Sequence, residues 1–85
     1  MRHARSDYDP IQDPRGLIPE DEPVFLIRGQ DVTAPTILEA WAHGLEQLVG
    51  ETTPITLAVR AHAERMRVWQ QDHGSKLPDA PEGTL

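Results

Sequence analysis

The sequence predicts an α+β protein that is mostly α and assembles as a homo-oligomer. Two stretches, residues 34–49 and 54–72, repeat apolar residues with the period of an α-helix, and each opens at a threonine and a proline. One short apolar run, residues 24–28, precedes them and predicts a single strand. For these 85 residues we expect an extended acidic proline-rich arm (1–23), one strand-helix-helix domain (24–74) and a disordered tail (75–85).

The arm has a proline every four or five residues from Pro10 to Pro23, which excludes a regular helix. It carries six acidic residues against three arginines. Two interpretations stay open: a flexible arm, or an arm that lies across the domain or a neighbouring subunit. The second is favoured by four large apolar residues: Tyr8, Ile11, Leu17 and Ile18.

The strand predicted over residues 24–28 contains a continuous apolar run from Val24 to Ile27, so we expect both of its faces to be covered. The sequence offers no second convincing strand, and a buried lone strand leaves its N–H and C=O groups unpaired. Its partner must be the N-terminal arm or another copy of the chain. Pairing across a two-fold axis predicts at least a dimer.

The first helix is predicted over residues 34–49, with Thr33 as its N-cap and Gly50 after its end. Gly44 lies at the edge of the apolar arc; it either lets another element approach closely or merely weakens the helix. The apolar residues share an arc of about 120°: Ile37, Leu38, Trp41, Leu45, Leu48 and Val49.

The second helix is predicted over residues 54–72, with Thr53 as its cap and Gly74 at its end. Its main apolar face consists of Ile55, Ala58, Val59, His62, Met66 and Trp69. A narrower stripe lies about 120° away, at Leu57, Ala61 and Val68. Because a two-helix hairpin buries one stripe per helix, we expect the narrower stripe to face another subunit.

Composition and charge exclude several classes of function. A net charge of −6 argues against general nucleic-acid binding, although a local basic pocket for a small anion remains compatible with it. The chain has no cysteine, no apolar stretch after its charged N-terminus, and no segment approaching a membrane span. These features predict a cytoplasmic protein with neither disulfides nor a membrane anchor.

No residue pattern predicts catalysis or a cofactor. The four histidines are too dispersed for a metal site, and His62 on an apolar face is typical of a core histidine. Ser6 and Ser75 fall in the predicted terminal segments, so a nucleophile is lacking. We therefore expect a protein that is not an enzyme and that has no metal or cofactor.

A small anionic ligand is the chemistry that the sequence favours most. Arg28, Gly29 and Gln30 lead into the first helix, whose free N–H groups and dipole attract negative charge. Asp31 counts against this interpretation, because its own carboxylate can occupy those N–H groups. The alternative is an ordinary strand-to-helix turn.

Three further arginines lie on the second helix: Arg60, Arg65 and Arg67. One interpretation is a rim of guanidinium groups that binds phosphates, with the ring of Trp69 or Trp41 stacking on a base. The alternative is a solvated helix face and two tryptophans in the core. The predicted ligand-binding set is Arg28, Gly29, Gln30, Arg60, Arg65, Arg67 and Trp69.

The segment Leu17-Ile18-Pro19-Glu20-Asp21-Glu22-Pro23-Val24-Phe25-Leu26-Ile27-Arg28-Gly29-Gln30-Asp31, continuing through Ala34-Pro35 to Ala40-Trp41-Ala42, resembles short proteins of phages, prophages and mobile elements. Those proteins read I-P-x-x-E-P-[VL]-F-[LIT]-[LI]-R-[AG]-Q-D, then an A-P-like pair and W-A. The resemblance covers about 26 residues and implies a source class and a fold rather than a reaction. By analogy, small acidic phage accessory proteins block host defence.

The leading hypothesis is a non-enzymatic anti-defence protein that sequesters a small anion, such as a nucleotide immune signal, in a site of a homo-oligomer. The alternative is a protein–protein inhibitor or adaptor that binds a host protein through the acidic arm and the Leu57–Ala61–Val68 stripe.

Overall fold

A computed structural model describes residues 2–3, 5–8 and 13–85, which are mostly helical. In chain order the elements are strand β1 (Arg2–His3), a 3₁₀ turn (Ser6–Tyr8), strand β2 (Pro23–Val24), helix α1 (Ala34–Val49) and helix α2 (Pro54–His73). The chain divides into two compact units. The terminal unit comprises Met1–Ile27 with Asp79–Leu85, and the hairpin unit comprises Arg28–Pro78.

The terminal unit contains the predicted strand in a shorter form. β2 pairs in parallel with β1, with Arg2 opposite Pro23 and His3 opposite Val24. The partner of the strand is therefore the arm of the same chain, one of the two partners that the sequence left open. The two strands pair over two residues each, and Phe25, which follows β2, is 69% exposed. The prediction of a strand over 24–28 covered on both faces is wrong in its length and burial.

Arg5 ties the arm to the C-terminal residues within the terminal unit. Its Nη1 donates a hydrogen bond of 2.6 Å to the Asp79 carbonyl, while Nε and Nη2 bind the Asp7 carboxylate. The Ser6 N–H donates to the Thr84 carbonyl at 3.1 Å. Residues 79–85 thus belong to the terminal unit, whereas the sequence assigns them to a disordered tail. Ile11, a predicted anchor of the arm, lies outside the described residues.

Helices α1 and α2 agree with the predicted ranges to within one residue. Thr53 and Thr56 form a capping box at the start of α2, each side chain accepting a hydrogen bond from the other residue's backbone N–H. Gly50 ends α1 in the left-handed conformation, with φ 87°. Thr33 differs from the prediction, because its side chain makes no capping bond; the Asp31 carboxylate accepts from the Thr33 N–H instead, at 2.8 Å.

The line of contact between α1 and α2 consists mainly of small side chains. Ala42 on α1 and Ala63 and Thr56 on α2 are fully buried, and Met66, which is 8% exposed, is the one large apolar side chain buried among the described residues of the two helices. Other large apolar residues lie outside this line, and Trp41 is 51% exposed. The prediction that the main apolar stripe of each helix is buried in the hairpin is therefore wrong for the largest side chains. Alanines let two helix backbones approach closely, which leaves long side chains at the flanks of the contact.

Within the part of the chain that the structure describes, neither helix is long and apolar enough to cross a membrane.

Candidate functional site: the two faces of the helical hairpin

The loop before α1 places a carboxylate at the position predicted to attract an anion. Asp31 Oδ1 accepts hydrogen bonds from the Thr33 N–H at 2.8 Å and from the Thr33 hydroxyl at 2.6 Å. The positive end of the helix dipole thus already holds a negative group of the same chain. The sequence indicated that the Asp31 carboxylate could occupy the free N–H groups of the helix; its contact is instead with Thr33, the N-cap residue.

The same loop is fastened to the end of α2 through its carbonyl groups. Gln70 Nε2 donates to the carbonyls of Gly29 and Asp31 at 2.8 and 2.9 Å. The Lys76 N–H donates to the Gln30 carbonyl at 2.9 Å, and the Val32 N–H donates to the Lys76 carbonyl at 3.0 Å. Gly29 and Gln30 therefore lie in a loop that is held by hydrogen bonds within the hairpin unit.

Two of the predicted ligand-binding arginines form ion pairs across the hairpin. Arg60 Nη2 lies 2.5 Å from Glu46 Oε1, and Arg67 binds both carboxylate oxygens of Glu39. Hydrogen bonding to Arg67 lowers the pKa of Glu39, and hydrogen bonding to Arg60, followed by Thr56, lowers the pKa of Glu46. The same contacts raise the pKa of each arginine. An external anion would compete with a carboxylate for either guanidinium.

Arg65 and Trp69 are exposed and lie one turn apart on a different side of α2. The Trp69 ring stacks on the His73 ring, with centroids 4.3 Å apart and planes inclined by 12°. One face of the indole is thus covered by its own helix. The predicted arginines are therefore split: Arg60 and Arg67 point across the hairpin, whereas Arg65 lies elsewhere on the helix. Arg28 lies in the loop before α1 and is exposed.

The ion pairs fix how the two helices face each other. Glu39 pairs with Arg67 and Glu46 pairs with Arg60, so α1 and α2 run antiparallel and all four side chains lie on one side of the contact line. We call these four residues the charged face. Their seven-residue spacing on each helix keeps successive pairs in the same register.

The opposite side of the hairpin is apolar. Trp41 and Leu48 each follow a charged-face glutamate by two residues, about 200° further around α1. On α2, Trp69 follows the charged-face Arg67 by the same two residues. Both helices therefore turn large apolar side chains to the side away from the ion pairs. We call this set the apolar face: Ile37, Trp41, Leu48, Ile55 and Trp69.

All five side chains of the apolar face are substantially exposed. The exposed fractions are 43% for Ile37, 51% for Trp41, 87% for Leu48, 55% for Ile55 and 42% for Trp69. The interpretation of the two tryptophans as core residues is therefore wrong. His62, expected in the core, is exposed on the same side of α2.

The narrower stripe on α2 is also open to solvent. Leu57 is 59% exposed, Val68 is 49% exposed, and Ala61 is exposed between them. This stripe carries fewer large side chains than the apolar face and no aromatic ring. Its predicted contact with another subunit stays a prediction.

Among the described residues, no group of three or more histidine, aspartate or glutamate side chains is arranged to hold a metal ion. The side-chain chemistry that the structure does bring together is of two kinds, carboxylate–guanidinium pairs on one face and aliphatic and indole groups on the other.

The charged face was missed by sequence reasoning, although a signal for it exists. Glu39 and Glu46 are seven residues apart on the first helix, and Arg60 and Arg67 are seven apart on the second. Opposite charges at the same spacing on two antiparallel helices match pairwise across a hairpin. Reading the two helices together would have assigned these arginines to ion pairs.

No known protein family, curated protein or solved structure matches this chain. The resemblance to short phage and prophage proteins therefore stays a prediction, as does the predicted ligand-binding set.

Proposed function

We propose that this chain is a non-enzymatic binding protein that acts through contacts with protein, and that the apolar face is the surface it uses. One observation carries the proposal: both tryptophans of the hairpin are exposed, while its contact line is built mainly from small side chains. Aromatic and aliphatic side chains on a rigid helical surface are typical of the central part of protein interfaces.

The size of the apolar face supports a role in binding. With areas of about 150–250 Å² for large side chains, the exposed fractions of the five residues amount to on the order of 400–700 Å². Monomeric soluble proteins rarely expose a contiguous apolar patch of more than a few hundred Å² unless it is functional. Leaving two indole rings in water has no benefit for folding, so a partner that covers them explains their position.

We take the cellular context of the proposed function from the resemblance to short phage and prophage proteins. We place the protein in the cytoplasm of a host cell, where a small acidic accessory protein blocks a defence pathway by occupying a surface of a protein. The acidic arm is a further surface through which a host protein is held. This anti-defence role is a proposal by analogy.

Site-specific photo-crosslinking tests the proposed surface. A photoreactive amino acid is placed at Trp41 on the apolar face and, in a matched variant, at His43, which is exposed on the same helix and lies two residues further on. Both variants are irradiated in cells that produce the full chain. We expect discrete protein adducts from position 41 and few or none from position 43.

Adducts of a single well-defined mass support a specific protein contact, and their mass identifies the partner as a second copy or another protein. Equal yields from positions 41 and 43, or the absence of adducts from both, would contradict the use of this surface. A circular dichroism spectrum of each variant verifies that the helices are intact.

Sequestration of a small anion is the second candidate, and one observation favours it. Arg65 and Trp69 are exposed one turn apart on α2, so a cation and an aromatic ring are available side by side to a phosphate and a base. Native mass spectrometry with added cyclic dinucleotides tests this candidate. Arg65→Ala should abolish the bound mass, whereas Arg60→Ala, which removes an arginine paired with Glu46, should retain it. Failure of the wild-type protein to gain mass would remove this candidate.

A further inference from the structure

We propose that the apolar face packs against the same face of a second copy of this chain, so that two hairpins form a four-helix arrangement around a two-fold axis. The inference rests on the proposed function, because it names the partner of the surface assigned there. It differs from the dimer predicted from strand pairing, since β2 is paired within its own chain.

A single hairpin has only a small apolar core. Among the described residues, the largest fully buried side chain is that of Thr56, the other fully buried residues are alanines, and Met66, 8% exposed, is the one large apolar side chain that is buried. A chain of 85 residues needs a larger apolar core or association to be stable. Packing two hairpins through their apolar faces would enclose four indole rings and place the large side chains in a shared core.

The exposed area of the apolar face is comparable to the area that a protein buries in an interface. The five side chains of the apolar face expose on the order of 400–700 Å² per copy, and the exposed Ala58 and His62 on the same side of α2 extend the surface. A standard stable interface buries about 800 Å² per partner. The face is thus of the size that a dimer of small proteins uses.

The net charge of the chain restricts which surfaces of two copies can meet. The chain has a net charge of −6, so two copies repel each other unless their contact excludes acidic residues. The glutamates nearest in sequence to the apolar face, Glu39 and Glu46, are held on the other side of α1 by Arg67 and Arg60. A same-face contact therefore leaves these two carboxylates outside it. The five residues of the apolar face are themselves uncharged, so they add no repulsion when they meet a second copy.

Gly44 lies between Trp41 and Leu48 in the row of residues along the same side of α1. A Cβ atom built on Gly44 would have no neighbour within 4 Å, so packing within the chain does not require a glycine there. Glycine in a helix interior is less favourable than alanine by about 1 kcal/mol. Close approach of a second hairpin supplies the reason that the single chain does not, because a residue without a side chain lets another backbone come near.

Two variants with the same chemical change on opposite sides of the hairpin test this inference. Leu48→Glu places a carboxylate on the apolar face, and Leu57→Glu places one on the outer stripe of α2, where the leucine is also exposed. Sedimentation equilibrium of the full chain, of monomer mass 9.5 kDa, is measured from about 1 to 100 μM. Circular dichroism verifies that both variants remain helical.

We expect the wild-type protein to assemble into a dimer or a larger even-numbered oligomer. Leu48→Glu should raise the dissociation constant at least 100-fold, because the two-fold axis buries two unpaired carboxylates, whereas Leu57→Glu should change it by less than about threefold. A wild-type monomer at 100 μM, or equal or greater weakening by Leu57→Glu, would overturn the inference. A monomer that still forms crosslinks to another protein from position 41 would overturn only the choice of partner and leave the proposed function standing.

Discussion

The two faces of the hairpin are built from the same two helices and differ in how their side chains are satisfied. On the charged face, Glu39 and Glu46 meet Arg67 and Arg60 within the chain. On the apolar face, Trp41 and the other large side chains are between 42% and 87% exposed to solvent. Residues of the two faces lie two positions apart along each helix, which directs their side chains about 200° apart. The charged face is thus paired within the chain, whereas the apolar face is the surface for which we propose a partner from outside the chain.

Removing the indole rings should have the largest effect on this comparison. Trp41→Ala should raise the dissociation constant of the assembly by roughly 30-fold or more, because a tryptophan at an interface centre commonly contributes about 2 kcal/mol or more. Sedimentation equilibrium measures the constant. His43→Ala, on the same helix but away from the apolar face, is the matched control and should leave it unchanged. Similar shifts in both variants would show that the two sides of α1 do not differ.

Enlarging a side chain on the contact line should destabilise the fold itself. Ala63 is fully buried between the helices, so Ala63→Leu should lower the free energy of unfolding by about 1–3 kcal/mol through overpacking. Ala61→Leu makes the same change at an exposed position of α2 and should lower it by less than about 0.5 kcal/mol. Urea denaturation followed by circular dichroism compares them. Equal effects would contradict the position of the contact line.

Gly44→Ala should separate helix stability from assembly. In a Leu48→Glu background, where the chain is expected to be monomeric, the alanine should raise the free energy of unfolding by up to about 1 kcal/mol. In the otherwise wild-type chain it should weaken assembly severalfold, because the added methyl group lies where a second hairpin approaches. Thermal unfolding and sedimentation measure the two effects. An alanine that strengthens assembly would place Gly44 outside the interface.

Acid should act on the charged face, with the smallest effect of the four. The ion pairs lower the pKa of Glu39 and of Glu46 below the ordinary value of 4.5. Their contribution to stability is therefore present above that value and is lost as the pH falls below it through the lowered pKa. Because these groups are solvent-accessible, the effect is modest and weakens with added salt.

The double variant Glu39→Gln/Glu46→Gln should lose part of this pH dependence of unfolding. Glu51→Gln, which removes an exposed carboxyl group outside these two pairs, is the control and should retain it. Unfolding by urea at a series of pH values provides the comparison. An unchanged slope in the double variant would show that the two ion pairs do not contribute to stability.

The helices could be predicted from sequence because their signals are local. The Thr53-Pro54 pair, the glycine at position 50 and the apolar period fix where each helix begins and ends. The rotation of each helix about its axis could not be predicted in the same way. The apolar arc of α1 is about 120° wide, and its centre suggested the buried line, whereas the contact line runs along the edge of that arc through Ala42.

The candidate site shows the same limit. The sequence singled out Arg60 and Arg67 as anion-binding groups, but spacing along α2 alone cannot show that glutamates of α1 lie opposite them. A local contact of the Asp31 carboxylate was predictable, because a carboxylate two residues before a helix N-cap reaches the adjacent N–H group. Contacts between neighbours in the sequence could therefore be predicted, whereas ion pairs between two helices required the three-dimensional structure.

The solvent accessibility of the tryptophans in the unmodified protein shows directly whether the apolar face is the interface. The chain has two tryptophans, Trp41 and Trp69, and both lie on the apolar face, so quenching of their fluorescence by acrylamide reports on this surface alone. Quenching is measured over a dilution series whose oligomer content is known from sedimentation. We expect the rings to be protected in the assembled protein and to become accessible in step with dissociation. Equal accessibility in the assembled and dissociated protein would contradict the assignment of the apolar face as the interface.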